Sequence, residues 1–401
     1  MISGFFLRIT VAVLLATPLC PATDAHSVGC PTRRAPGAVI PFELIGDHIY
    51  VSAKVNGSGP YRFIVDTGGV NLVDSSLVKS LSLQITGQET GHGVGAESVE
   101  SGKTTIDRLD LGNHTFTSEK FYTFDLDQLY PSGGVKIMGM VGAALFARYA
   151  TCIDFSRHEI ELINPADLDR QPAGTVLPMS TKESVITIHA SFDGVPGVFQ
   201  VDTGSPTTLT LNTPFVTKHD LLSRFPRHVE SSSGGVGGSV REYTVRGKNL
   251  VLGSLSIVNP ITALAVASKG NFARADLAGN IGNGALKRYV VTFDLPDHRL
   301  YLQPYEPAPP NLDTYNRSGL RIDVEPTGFR VVSVAKGTPA AEAGISVGDL
   351  IVTVNGKPST SISLPEIRDE LRERPAGSVF TMGVRTDDKT REVQLTLQEL
   401  L

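Results

Sequence analysis

Residues 61–69 read YRFIVDTGG and residues 198–205 read VFQVDTGS, so a short apolar run ends in Asp-Thr-Gly twice in this chain. Each run follows a dipeptide typical of β-hairpin turns, Asn56-Gly57 before the first and Asp193-Gly194 before the second. A single Asp-Thr-Gly is expected by chance in about one chain in ten of this length. Two copies in matching surroundings predict that one β fold is repeated.

The composition favours a globular β protein. The chain has 401 residues, of which 41% are hydrophobic and 19% charged, enough for two or three domains with their own cores. Its 40 Gly and 25 Pro, with no Trp, favour short strands and turns over helix bundles. A net charge of −5 without a long run of Lys or Arg excludes an electrostatic case for a nucleic-acid partner.

The N-terminus predicts export. Residues 1–25 have the pattern of a signal peptide, and the apolar run at residues 9–19 is shorter than the ~20 residues of a membrane span. We therefore expect a periplasmic or secreted protein without a stable membrane span, the alternative being a buried or spanning helix. Cys30 and Cys152 then remain, either as a disulfide or as two buried thiols.

The repeat divides the chain into a first lobe at residues 39–165 and a second at residues 166–303. A Pro-rich stretch at residues 304–317 predicts a stiff linker, and a third domain follows at residues 318–401. Each lobe also has a glycine-rich hairpin tip. The tip residues are Gly93, Val94 and Gly95 in the first lobe and Val236 and Gly237 in the second.

The Asp-Thr-Gly turns suit acid–base chemistry. An Asp that ends a buried strand is costly unless it is hydrogen-bonded, and a following Gly allows a tight turn whose N–H can reach the carboxylate. If the two lobes meet, carboxylates ~3 Å apart repel by roughly 5 kcal/mol at an effective dielectric of ~20, so one proton is shared. Asp66 and Asp202 would then offer a general base and a general acid to a peptide bond.

These motifs resemble the aspartic proteases of the retropepsin and pepsin group over residues 39–303. Met140-Val141-Gly142 and Asn280-Ile281-Gly282 resemble the second signature of that family. The resemblance implies a mainly β fold with two pseudo-twofold related retropepsin-like β-barrel lobes. Gly69, where the family has Ser or Ala, and Asn280, at an apolar position, are departures from the pattern.

The resemblance also implies roles for the site residues. The catalytic pair would be Asp66 and Asp202. Support of the catalytic loops would come from Thr67, Gly68, Thr203, Gly204 and Ser205. Substrate-covering flaps would carry Gly93, Val94, Gly95, Val236 and Gly237.

The C-terminal segment resembles an α/β PDZ domain of the bacterial protease-associated kind, over about residues 318–398. Its pattern has a Gly-Asp turn at Gly348-Asp349, a hairpin turn at Asn355-Gly356, and a capping box formed by Ser363 and Glu366 that predicts a helix. The resemblance implies a peptide-binding groove that includes Gly319, Leu320 and Ile322.

The sequence thus predicts an exported, monomeric aspartic-type endopeptidase that needs no metal or cofactor and binds peptides through its PDZ domain. We expect the linker to separate that domain from the flaps, so that it presents substrates or partners and does not complete the active site. The alternative is a non-catalytic peptide-binding or scaffold protein of the same architecture.

Overall fold

The computed structural model describes residues 29–32, 37–170, 174–182, 185–310 and 312–401, and the predicted signal peptide at residues 1–25 lies outside this part of the chain. The described residues are mainly β, as predicted. No helix among them is both long and apolar enough to cross a bilayer.

The first β unit (residues 38–163) contains ten strands among its described residues. They are β1 (Ala38–Ile45), β2 (His48–Val55), β3 (Ser58–Asp66), β4 (Leu72–Asp74), β5 (Gln88–His92), β6 (Ser98–Leu111), β7 (His114–Phe124), β8 (Gly139–Gly142), β9 (Ala150–Asp154) and β10 (Glu159–Ile163).

The second β unit (residues 175–304) contains twelve strands among its described residues. They are β11 (Thr175–Lys182), β12 (Val185–Phe192), β13 (Val195–Val201), β14 (Leu209–Leu211), β15 (Val229–Gly235), β16 (Gly238–Arg246), β17 (Asn249–Leu252), β18 (Leu255–Val258), β19 (Ile261–Val266), β20 (Gly279–Ile281), β21 (Tyr289–Asp294) and β22 (Arg299–Pro304).

The C-terminal domain (residues 320–396) has a separate sheet and a separate hydrophobic core. Its strands are β23 (Leu320–Glu325), β24 (Gly328–Val334), β25 (Leu350–Val354), β26 (Lys357–Pro358), β27 (Val379–Thr386) and β28 (Lys389–Thr396).

The helices are short. The α-helices are α1 (Ser75–Ser80), α2 (Tyr130–Gly133), α3 (Thr213–Lys218), α4 (Asn283–Leu286), α5 (Pro339–Glu342) and α6 (Leu364–Glu373), and 3-10 turns cover Leu126–Leu129, Ala143–Phe146, Pro165–Asp167, Leu222–Arg224, Asn271–Ala273 and Ser359–Ser361.

Helix α6 begins where the sequence predicts, because the Ser363 side chain accepts a hydrogen bond from the N–H of Glu366 at 3.2 Å. Its apolar residues Leu364, Ile367 and Leu371 recur at helical spacing and are buried against the sheet.

One antiparallel sheet joins the two β units, in the order β1, β10, β9, β21, β22, β11. At its centre Ile153 of the first unit lies opposite Val291 of the second. Side chains of both units form one hydrophobic core, so this sheet fixes the position of one Asp-Thr-Gly turn relative to the other.

Each Asp-Thr-Gly strand pairs in parallel with the strand of the second signature. Val65 lies opposite Val141, and Val201 lies opposite Ile281. The glycines that end these signatures permit close backbone contact, since a Cβ on Gly142 would lie 2.3 Å from the carbonyl oxygen of Gly69.

Cys30 and Cys152 form a disulfide that ties residues ahead of β1 to β9. The sequence left this pairing open, and the structure decides it.

Contacts fasten the stretch predicted as a linker to the second β unit and the central sheet. Pro304 still belongs to β22, the Tyr305 hydroxyl donates to Asp154 at 2.9 Å, and Asp313 pairs with Arg288. The expected separation of the C-terminal domain from the rest is therefore wrong, because these contacts hold the stretch against the β units.

Candidate functional site

The two Asp-Thr-Gly turns meet where the β units join. In each turn the glycine N–H donates to the preceding aspartate: Gly68 to Asp66 Oδ1 at 3.0 Å, and Gly204 to Asp202 Oδ1 at 2.8 Å. These bonds stabilise carboxyl groups that buried strands carry into a protein-lined environment.

The threonines lock the turns to each other across the junction. The Thr67 hydroxyl donates to the Val201 carbonyl at 3.1 Å and accepts from the N–H of Thr203 at 3.0 Å. The Thr203 hydroxyl donates to the Val65 carbonyl at 2.9 Å and accepts from the N–H of Thr67 at 3.0 Å. Both side chains are buried, so each hydroxyl uses its donor and an acceptor inside the protein.

Each turn faces the carboxyl group of the other turn. A Cβ on Gly68 would lie 2.4 Å from Cγ of Asp202, and a Cβ on Gly204 would lie 2.3 Å from Cγ of Asp66. Any larger residue would therefore push the carboxyls away, so the Gly at these positions is what allows the two acids to approach.

One acid of the carboxyl pair, Asp66, has a raised pKa and tends to keep its proton. Burial, then the negative charge of Asp202 and a hydrogen bond between the two carboxyls, raises the pKa of Asp66 well above its usual value of 3.8. The shift favours a form of the pair in which Asp66 keeps its proton at a pH where an isolated aspartate has lost it.

Two amides beside the pair were not predicted as site residues. The Asn280 amide donates to Asp202 Oδ2 at 2.7 Å, and the Gln200 amide donates to the carbonyl of Gly68 at 3.2 Å. Asn280 stands at a position where the resemblance expects an apolar residue, and this departure was the available signal.

The two turns differ at the residue after the glycine, which is Gly69 in the first turn and Ser205 in the second. The Ser205 hydroxyl contacts Thr207 Oγ1 at 3.0 Å, and its N–H donates to the carbonyl of Asp202 at 3.3 Å, so it supports the turn through the backbone. On the other side a Cβ on Gly69 would lie 2.7 Å from Asp66 Oδ2, which leaves no room for a serine in the present conformation.

The two glycine-rich tips close over the turns. The N–H of Gly95 donates to the Val236 carbonyl at 3.0 Å, and the N–H of Glu97 donates to the Gly237 carbonyl at 3.1 Å. The carbonyl of Gly93 accepts from the N–H of Asn271 at 3.1 Å, and Val94 packs beside a small apolar cluster of the second unit.

Beneath the tips lies a cavity of about 910 Å³ whose walls include Asp66, Asp202, Gly93, Val94 and Val236. One wall is apolar and is formed by Tyr50, Ile64, Phe124 and Met140 together with neighbouring side chains. The cavity thus combines a carboxyl pair with an apolar surface, as binding clefts do.

The C-terminal domain borders the same cavity. Leu320 and Ile322 line it, whereas Gly319 does not and instead sits against Thr338, where a Cβ would lie 2.1 Å from the threonine hydroxyl. Arg368 of α6 donates to the carbonyl of Ser132 in α2 at 2.7 Å, which joins this domain to the first β unit.

Two family models match the chain. One described as "Aspartyl protease" matches residues 51–145, and one described as "PDZ domain" matches residues 330–386. Residues 51–145, which include Asp66, therefore resemble part of an aspartyl protease, and residues 330–386 resemble a PDZ domain.

Curated relatives match shorter stretches. "Serine endoprotease DegS" of Escherichia coli (strain K12) is 44% identical over 72 residues, or 18% of this chain and 20% of that protein. "Periplasmic serine endoprotease DegP" of the same strain is 36% identical over 80 residues, 20% of this chain and 16% of that protein. "Periplasmic pH-dependent serine endoprotease DegQ" is 34% identical over 76 residues, 19% and 16% of the two chains. The chain spans about a fifth of the length of these relatives.

The names of these relatives contradict the predicted enzyme type. All three are called serine endoproteases, whereas the sequence predicted an exported aspartic-type endopeptidase with an Asp dyad that activates water. We therefore no longer assign the aspartic type. The matched stretches are about as long as the C-terminal domain, and a PDZ domain is the part that both comparisons support.

Proposed function

We propose that this chain is an exported protease that binds an extended polypeptide in the cavity beneath the two hairpin tips, with its PDZ domain as a second peptide-binding unit. The observation that carries the proposal is the meeting of the carboxyls of Asp66 and Asp202 on the wall of that cavity. The aspartyl-protease-like and PDZ matches, with relatives that are named endoproteases, support the general class.

The proposed chemistry of the site is proton exchange with a bound substrate. Asp66 and Asp202 are the proposed catalytic residues because both carboxyls lie on the wall of the cavity, where a carboxyl can exchange a proton with the polypeptide. Thr67, Gly68, Thr203, Gly204 and Ser205 are positioning residues, since they hold the turns and leave the carboxyls close together. Asn280 joins this group through its bond to Asp202.

The hairpin tips suit a substrate that must enter and leave. Gly93, Gly95 and Gly237 carry no side chain, and two backbone hydrogen bonds join the tips among the described residues, so parting one tip from the other breaks few hydrogen bonds. The apolar wall near Tyr50 and Met140 favours substrates with large apolar side chains beside the bond that is cut.

Two further features of the proposal concern the setting of the enzyme. The Cys30–Cys152 disulfide supports an oxidising compartment, and two of the relatives are named periplasmic, so we place the protein in the periplasm or outside the cell. One chain supplies both carboxyls, which favours a monomeric enzyme whose specific activity is independent of its concentration.

A fluorogenic peptide library incubated with the full chain from pH 3 to 8 tests the proposal. Wild type should hydrolyse a subset of peptides, and Asp66→Asn and Asp202→Asn should each lower turnover at least about 100-fold while they keep the far-ultraviolet circular dichroism of wild type. A parallel sample is treated with a fluorophosphonate, which modifies reactive serines.

Full activity in both variants would overturn the assignment of the carboxyl pair. If the fluorophosphonate alone removed that activity, the chemistry would belong to a serine, as the names of the relatives suggest. Absence of hydrolysis of every peptide, with binding retained, would overturn the protease proposal in favour of a peptide-binding protein.

A further inference from the structure

Two parts of the chain that the sequence treated as separate border one cavity. Leu320 and Ile322 of β23 and Arg368 of α6 line it at one end, and Asp66 and Asp202 line it beneath the tips. A polypeptide that occupies the cavity can therefore touch the C-terminal domain and the carboxyl pair at once.

Arg321 lies where the C-terminal domain meets the second hairpin, formed by β15 and β16. Its neighbours Leu320 and Ile322 are buried in the domain core, and Arg321, between them, reaches the hairpin instead. Its Nη1 donates to both the carbonyl and the hydroxyl oxygen of Ser232, at 3.0 and 2.5 Å.

Arg321 keeps unused hydrogen-bonding capacity that faces the cavity. Its Nε and Nη2 donate to no protein atom in the described part of the chain, and no described carboxylate lies within ion-pair distance. Gly234 leaves space beside it, because a Cβ there would lie 3.0 Å from Nη2. A guanidinium offers five donors in a planar fork suited to a carboxylate.

The charged groups around Arg321 leave positive charge at this end. Arg368 is a second guanidinium, and burial lowers its pKa only to about 10, so it stays charged at neutral pH. The carboxylate of Asp323 offsets the charge of Arg368, with its Oδ1 3.6 Å from Nη2. Glu242 on β16 is buried, and its Oε1 accepts from Ser231 at 3.3 Å; burial raises the pKa of this carboxyl, and the nearby charge of Arg321 opposes that shift.

We propose that the C-terminal domain and the second hairpin together form a subsite of the cavity in which Arg321 binds a carboxylate carried by the polypeptide that lies in the cleft. Arg321 is thus a specificity-determining residue, and the enzyme prefers chains with a carboxylate at one fixed distance from the Asp66–Asp202 pair. The occupant rests on the proposed function, since it is the substrate of that site.

Binding of matched labelled peptides measures this preference without requiring hydrolysis. The peptides differ only by Glu, Gln or Lys at successive positions, and each is made with a free and with an amidated C-terminus, so that a side-chain carboxylate and a terminal one are distinguished. Fluorescence anisotropy with the full chain gives Kd for wild type, Arg321→Gln, Arg321→Glu and Arg321→Lys.

Wild type should bind Glu at one position about five- to tenfold more tightly than Gln, the range expected of a partly exposed charge-assisted contact. Arg321→Gln should abolish this ratio, Arg321→Lys should keep part of it, and Arg321→Glu should reverse it toward Lys peptides. If the amidated peptides alone lose affinity, the carboxylate is the C-terminal one.

Two control variants separate charge recognition from support of the hairpin. Arg385→Gln changes another arginine of the same domain, which bonds to Thr327, and should leave the Glu preference unchanged. Ser232→Ala removes the hydroxyl that Arg321 bonds and keeps the cation, so the preference should persist. If Arg321 only supported the hairpin, Arg321→Gln would instead weaken the binding of all peptides equally.

An unchanged preference in Arg321→Gln, or a wild type that prefers neither a Glu side chain at any position nor a free C-terminus over an amidated one, overturns the subsite. Loss of hydrolysis on every peptide together with an Arg321-dependent preference would overturn the protease proposal and leave the subsite intact. Hydrolysis with a preference that does not depend on Arg321 would overturn the subsite and leave the protease proposal intact.

Discussion

Replacement of Thr203 by Val tests the joint between the two Asp-Thr-Gly turns. The change is nearly isosteric, and it removes two hydrogen bonds at once: the hydroxyl's bond to the Val65 carbonyl at 2.9 Å and the bond it receives from the N–H of Thr67 at 3.0 Å. Thr203 is completely buried, so water does not replace the lost partner.

The magnitude follows from the groups left behind. A buried polar group that loses its partner costs about 1–3 kcal/mol, and two groups are affected here, so we expect a loss of about 2–6 kcal/mol in the free energy of unfolding of the β units. Thr203→Ser keeps both bonds and should lose about 1 kcal/mol through the missing methyl group.

Tyrosine signals isolate the relevant part of the chain. All ten tyrosines precede residue 316 and the chain has no Trp, so the tyrosine band of the near-ultraviolet circular dichroism during urea unfolding reports on the part of the chain before the C-terminal domain. Thr151→Val is the matched control, because Thr151 is also buried and its hydroxyl has no hydrogen-bond partner among the described residues. Thr151→Val should leave the free energy of unfolding unchanged or raise it. If Thr203→Val lowered that free energy by no more than Thr151→Val does, the reasoning would be refuted.

Three other predictions concern the same part of the chain, the two β units and the disulfide that ties the N-terminal segment to them. Gly204→Ala should abolish peptide hydrolysis, since its Cβ would lie 2.3 Å from Cγ of Asp66, whereas Gly133→Ala, with no atom near its Cβ, should not; activity retained in the first would contradict the close approach. Cys30→Ser should lower the free energy of unfolding by about 3–5 kcal/mol because the disulfide closes a loop of over a hundred residues, an expectation that fails if Cys30 or Cys152 is found as a free thiol in wild type. Because the folded-state pKa of Asp66 is raised, its ionisation destabilises the fold: stability should fall as pH rises from 3.8 through the folded pKa, and Asp66→Asn should be more stable than wild type above that range and lose its advantage below it. Urea unfolding at several pH values would contradict this if the advantage grew toward low pH.

The sequence predicted the groups that local chemistry determines. The turns at Asp66 and Asp202 were predictable because a Gly two residues after a strand-ending Asp lets its N–H reach the carboxylate, and helix α6 because Ser363 caps it. The mainly β class followed from alternating apolar residues and many turn signals.

Contacts between distant residues escaped prediction. Asn280 reaches Asp202 across 78 positions, and Arg321 reaches Ser232 across 89, so neither partner can be read from local spacing. The stretch before residue 318 has the composition of a free linker, yet the pair of Asp313 with Arg288 and the bond of Tyr305 to Asp154 hold it down.

The predicted enzyme type failed for a different reason. It depended on the doubled motif and its resemblance alone, and the curated relatives, matched over about a fifth of the chain, are named serine endoproteases. The chemistry assigned to a site therefore has to be tested on the site itself.

The shared proton of the Asp66–Asp202 pair is the central claim, and a carbon-13 titration of the full chain labelled at aspartate Cγ tests it most directly. Comparison with Asp66→Asn assigns the Asp66 resonance. It should titrate well above 3.8, because burial and the charge of Asp202 hold the proton on the pair. An Asp66 resonance that titrates at or below 3.8 would contradict the claim.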